Sequence, residues 1–137
     1  MSNSNLSNLW SPISGPGSEA TVVEVFSAWL GERGWECKEL PSHGDYPAID
    51  ARHPDGRRLV VEAKGFTRDS GTDLDRGYGQ LLRRMTGEPA TTYALVVAGT
   101  VVRFAQRVPS EVRSRLGIAL YTVDFTGKVE LVDGTPL

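Results

Sequence analysis

The chain has one cysteine, Cys37, and two histidines, His43 and His53, in 137 residues. A single thiol excludes a disulfide framework and a cysteine-rich zinc site, and two imidazoles are too few for a histidine cage. Lysine is almost as scarce: there are three against twelve arginines, so the place of each lysine carries information. Positive charge is not in surplus. With a formal net charge of −2, no global field advertises a polyanion partner, and contact with nucleic acid needs a local patch, a metal ion or a second protein. No long hydrophobic run is present either. The longest apolar window, Tyr93 to Phe104, is broken by Gly99, Thr100 and Arg103 and is too short to span a bilayer. The opening MSNSNLSNLWSPISGPG holds no lysine or arginine and no continuous apolar stretch, so we expect no targeting segment and a cytoplasmic location.

What is present is ordinary for a globular chain: 39% hydrophobic and 23% charged residues. At this length the prior is one domain, able to bury about two-thirds of its unfolded surface. Residues 1–17, rich in Ser, Asn, Gly and Pro, read as a flexible tail, and 18–137 as a single domain. Ser18 is placed to cap a helix whose apolar residues Val22, Val23, Phe26 and Leu30 recur at helical spacing, with Gly31 and Gly34 to end it. Three short strands follow, at 35–40, 48–52 and 59–66. His53-Pro54-Asp55-Gly56 between the last two has tight-turn chemistry and predicts an antiparallel hairpin. A helix over 73–85 turns Leu74, Tyr78, Leu81, Leu82 and Met85 inward. Gly77 and Gly79 weaken it and predict a close approach by something else. The run 93–98 reads as a buried parallel strand, 110–116 as a helix, and 118–124 and 128–132 as strands. The fold class is α/β, a mixed central sheet with helices on both faces in the order α-β-β-β-α-β-α-β before the closing strand.

The third strand, Leu59-Val60-Val61-Glu62-Ala63-Lys64, carries two charges in an apolar run, which is costly unless they are paired or used. Side chains on a strand alternate, so Glu62 and Lys64 share a face at roughly 7 Å separation. The hairpin turn brings Asp50, which closes Tyr46-Pro47-Ala48-Ile49, into the neighbourhood of Glu62. Two carboxylates and the backbone carbonyl of Ala63 form an all-oxygen set of the kind Mg²⁺ accepts, and such an ion would activate water and neutralise charge on a phosphate. Lys64 would orient or deprotonate that water, or stabilise the developing charge. A second Glu-x-Lys, Glu36-Cys37-Lys38, has no strand carrying an Asp before it. The plainer alternative for the first is a structural ion pair.

Asp50, eleven intervening residues and Glu62-Ala63-Lys64 resemble the PD-(D/E)XK nucleases, a superfamily spanning restriction endonucleases, archaeal Holliday-junction resolvases and phage-type exonucleases. The resemblance covers residues 18–132 in element order and implies a restriction-endonuclease-like core. The family's Pro-Asp is loosened here to Pro47-Ala48-Ile49-Asp50. Many members place a Glu on the first helix and a Gln on the helix after the motif. Gly79-Gln80-Leu81 is similar to the latter, so the resemblance implies a site role for Gln80. Of the candidates Glu19 and Glu24 for the former, Glu19 lies on the stripe of Val22, Val23, Phe26 and Leu30, and Glu24 lies off it. Arg84 stands where the exonuclease subgroup carries a Tyr.

The resemblance implies a Mg²⁺- or Mn²⁺-dependent nuclease with Asp50, Glu62, Lys64, Gln80 and Glu19 at its site. The implied partner is nucleic acid, DNA before RNA, with a homodimer or a partner protein supplying specificity. Arg52, Arg68, Arg83 and Arg84 are the candidate phosphate contacts. The competing expectation is a catalytically silent module of the same fold that binds nucleic acid or a protein.

Overall fold

The computed structural model describes Gly15 and residues 17–40 and 46–137. The tail expected over 1–17 therefore lies outside the described residues except at Gly15 and Gly17. Helix α1 (Glu19–Gly31) begins where the Ser18 hydroxyl accepts the Thr21 N–H at 3.2 Å, with Glu19 in its first turn where the helix dipole favours an anion. Val22, Phe26 and Leu30, one helical turn apart, are fully buried, each contributing roughly 1.5–3 kcal/mol.

Strands β1 (Glu36–Glu39), β2 (Ile49–Arg52) and β3 (Arg58–Lys64) form the expected antiparallel meander. Its second turn closes through His53 N–H to the Arg57 carbonyl and Gly56 N–H to the His53 carbonyl, both 2.9 Å, with Gly56 at φ +96°, where a side chain would be strained. Helix α2 (Ser70–Arg83) follows, then β4 (Thr91–Ala98), a single 3₁₀ turn over Gly99–Val101, the short helices α3 (Val102–Ala105) and α4 (Ser110–Leu116), and strands β5 (Ile118–Val123) and β6 (Val129–Asp133). The six strands lie in sequence order. β4 runs parallel to β3 and β5, and the other neighbours are antiparallel.

The strand registers divide the sheet into two faces. Val61, Ala63, Val96 and Tyr121 look toward α1, whose Phe26 ring lies 5.2 Å from that of Tyr121. Val60, Glu62, Lys64 and Leu95 look toward α2, since a Cβ at Gly77 would touch Lys64 and Leu95. This is the expected mixed α/β sandwich, and it is compatible with a restriction-endonuclease-like core. Two features differ from expectation. α2 starts at Ser70 because Asp69 caps it, accepting the Thr72 N–H. α3 is additional, a four-residue helix held by tertiary contacts: the Tyr78 hydroxyl donates to the Ala105 carbonyl at 2.5 Å. The buried Arg113 guanidinium ties the carbonyls of Ala105 and Val108 to the Asp133 carboxylate. No helix among the described residues is long and apolar enough to cross a membrane.

Candidate functional site

The end of β3 is where its ladder with β2 stops. β2 pairs with β3 only as far as Ile49 opposite Val61, so Glu62, Ala63 and Lys64 have β4 alone beside them in the ladder. α2 crosses this stretch with Asp73, Gly77, Gln80 and Arg84 on one stripe, since residues three and four apart stack on a helix face. Each neighbour on the stripe has a different task. Arg84 Nε donates to Glu62 Oε1 at 2.8 Å and its Nη2 to the Tyr46 carbonyl at 2.6 Å. Gly77 makes room for the lysine stem: a Cβ there would sit 3.1 Å from Lys64 Cε. Asp73 accepts the Thr67 hydroxyl. Gln80 turns its amide oxygen inward, buried and with no hydrogen-bond partner among the described residues.

Gly65 brings in the first helix. A Cβ at that position would lie 2.2 Å from the backbone nitrogen of Glu19, and Phe66 N–H donates to the Gly17 carbonyl at 2.6 Å. The chain leading into α1 is thereby pressed against the end of β3, and Glu19 Oε1 stands 3.8 Å from Lys64 Nζ. Glu24, the other first-helix candidate, is exposed.

Asp50 lies opposite Val60, on the same face as Glu62 but one ladder step away. Its two oxygens are taken by one guanidinium, Oδ1 by Arg58 Nε at 3.0 Å and Oδ2 by Arg58 Nη2 at 2.9 Å, and Arg58 Nη1 reaches Glu88 at 2.6 Å. The hairpin thus puts Asp50 and Glu62 on one face and gives each its own arginine. Among the described residues no three acid, imidazole or thiol groups gather closely enough to hold a metal ion. Ala63 sits in the parallel ladder opposite Val96.

The arginines read as phosphate contacts divide in two. Arg52, Arg68 and Arg83 are exposed, Arg52 lying 3.7 Å from Glu88. Arg84 instead points inward to neutralise Glu62, a role fixed by its place on the α2 stripe and invisible in a list of basic residues. Arg58, one of the arginines that cluster in sequence around the site, is the partner of Asp50, and Asp73 joins from α2. Their helical and strand spacing to Gln80 and Glu62 was the available signal.

Electrostatically the cluster is strained in opposite senses. Burial raises the pKa of Glu62, which is 4% exposed, while the Arg84 hydrogen bond pulls it back. Glu19 is also raised, by burial first, with Lys64 opposing and the charges of Glu62 and Asp73 adding to the rise. Asp50 is lowered, chiefly by its hydrogen bonds from Arg58. Ionisable groups whose pKa values are pushed apart in this way are enriched at functional sites.

No protein-family profile and no curated protein matches the chain. Solved structures do. An XisH family protein from Nostoc punctiforme shares 19% identity over 82% of this chain and 98% of its own, with a TM-score of 0.50. A protein of unknown function from Silicibacter pomeroyi shares 17% identity over 90% of this chain and 74% of its own, with a TM-score of 0.52. At these identities the likeness is one of fold. An XisH-like architecture is what this chain is similar to.

Proposed function

We propose that the chain hydrolyses phosphodiester bonds of nucleic acid, DNA in the first instance, at the end of β3. The observation that carries this reading is a charged pair, Glu62 and Lys64, on a central strand at the point where its neighbour β2 stops. A structural ion pair has no need of a third carboxylate from α1 held 3.8 Å from the ammonium.

In this reading Lys64 positions the water that attacks phosphorus as the bond to the leaving oxygen breaks, the water's proton passing through solvent to that oxygen, and donates hydrogen bonds to the charge that develops on the phosphate. Glu19 is a positioning residue that holds the ammonium in place. The Gln80 amide oxygen, buried without a partner among the described residues, accepts a hydrogen bond from that water. The donor chemistry suits a hard divalent cation: Asp50, Glu62 and the Ala63 carbonyl are oxygen ligands only. Held by Asp50 and Glu62, Mg²⁺ or Mn²⁺ would supply Lewis acidity and neutralise charge on the scissile phosphate. Arg52, Arg68 and Arg83 are the exposed cations that would position the strand. A small domain of this kind takes its specificity from a second copy or a partner protein.

The test is incubation of plasmid, branched DNA and RNA with the protein in Mg²⁺ or Mn²⁺. Cleavage abolished by chelator and by Glu62→Gln supports the reading. Cleavage that survives Glu62→Gln, or none on any substrate, rejects it. A second reading, a silent module that only binds, is favoured by one observation: both expected ligand carboxylates are already neutralised by arginine.

A further inference from the structure

Every charged group of the site has a counter-ion from within the chain: Asp50 with Arg58, Glu62 with Arg84, Lys64 with Glu19. A dication approaching the carboxylates must therefore compete with two guanidiniums. We propose that Arg58 and Arg84 are displaceable counter-ions, drawn off Asp50 and Glu62 by the phosphates of a bound nucleic acid, so that nucleic acid and divalent cation bind with positive cooperativity. The proposal rests on the reading of Asp50 and Glu62 as the cation's ligands.

Both arginines sit at the rim of the site. The Arg84 side chain is 14% exposed against 6% for its partner Glu62, and Arg58, at 23%, is as accessible as its partner Asp50, at 24%. Each also holds a second partner on the outer side, Glu88 for Arg58 and the carbonyl of the exposed Tyr46 for Arg84. A guanidinium fork fits a phosphate as well as it fits a carboxylate, so a strand lying across β2 and the end of α2 offers both arginines an equivalent partner. Once Arg84 turns outward, Glu62 is a carboxylate in a low-dielectric site with its main counter-ion gone. That state is expensive by itself and strongly favoured by a dication. With the guanidiniums in place the same carboxylates are poor ligands. Linkage then requires the reverse effect, in which the cation tightens the hold on nucleic acid by the same factor.

The experiment is calorimetric titration of the full chain with Mn²⁺, with and without a short phosphorothioate-substituted DNA duplex whose own Mn²⁺ uptake is measured separately. The expected result is that the duplex tightens Mn²⁺ binding to the unmodified chain by about tenfold or more, within the usual range of such couplings. Arg58→Gln and Arg84→Gln are expected to tighten Mn²⁺ binding without DNA and to shrink the effect of the duplex. Mn²⁺ affinity that is abolished by Asp50→Ala yet indifferent to the duplex and to both arginine substitutions overturns the counter-ion device and leaves the site as read. No Mn²⁺ binding to any form, with or without the duplex, overturns both. Should Arg84→Gln fail to fold, the duplex arm and Arg58→Gln still decide.

Discussion

The chain contains the same triplet twice, and the sheet treats the two copies in opposite ways. Glu36-Cys37-Lys38 lies on the edge strand β1, both charges exposed. Glu62-Ala63-Lys64 lies on the central strand β3, where Glu62 is buried and Lys64 nearly so. Asp50 stands between them, opposite Lys38 in one ladder and opposite Val60 in the other. Chemical potential therefore comes from position. An edge strand leaves Glu and Lys in water, where they are screened and their pairings contribute little. The centre of the sheet removes water, so each charge must be answered by a specific partner from α1, α2 or a neighbouring strand.

The largest effect expected from breaking this contrast is on the residue following each triplet. Gly65→Ala places a methyl group inside the backbone at Glu19 and is expected to destabilise by about 3 kcal/mol or more. Glu39→Ala, at the equivalent exposed place, should change stability by less than about 0.5 kcal/mol. Urea unfolding of the two variants measures both.

Next in size are the two carboxylates, which are predicted to respond to pH with opposite sign. The pKa of Asp50 is lowered below 3.8, so its contribution is present above that pH and is lost as pH falls through the lowered value. The deficit of Asp50→Asn, about 1–2 kcal/mol at neutral pH, should close in strong acid. Glu62 is raised above 4.5, so its favourable contribution is complete below that pH and disappears as pH rises through the raised value. Glu62→Gln should therefore gain on the unmodified chain as pH climbs above 4.5. Thermal melts across a pH series give both slopes, and parallel slopes would erase the distinction between the two sites.

A smaller effect is expected at Gly77, which has no counterpart beside Lys38. Alanine there gains up to about 1 kcal/mol of helix propensity while pressing on the Lys64 stem at 3.1 Å. Stability should stay within about 1 kcal/mol of the unmodified chain, while cleavage slows by about tenfold because a displaced ammonium is a misplaced one. Melting temperature and initial rate, measured on one preparation, separate the two.

Much of the architecture is legible in the residues. Pro109 ahead of Ser110 and Gly117 after Leu116 bound α4, and the nearly all-apolar run at 93–98 reads as the buried parallel strand that β4 is. The glycine at 77 is legible as a close approach, although its partner is not. α3 is opaque because four residues cannot hold a helix by propensity; Tyr78 and Arg113 hold it from elsewhere in the chain. The same limit governs the site. Strand alternation puts Glu62 and Lys64 on one face, but the partners Arg58 and Arg84 follow from ladder register and from the angle at which α2 crosses the sheet. Arg84 read by composition is a phosphate contact, and read by its place on a helix stripe it is the counter-ion of Glu62.

In the proposed function the buried Glu-x-Lys performs hydrolysis and the exposed one does not. The most direct measurement is the rate at which Lys64→Ala and Lys38→Ala cleave supercoiled plasmid in Mn²⁺, side by side with the unmodified chain. Loss of about 10²-fold or more in Lys64→Ala, with Lys38→Ala unchanged, is the predicted result. Equal rates for the two variants would contradict it.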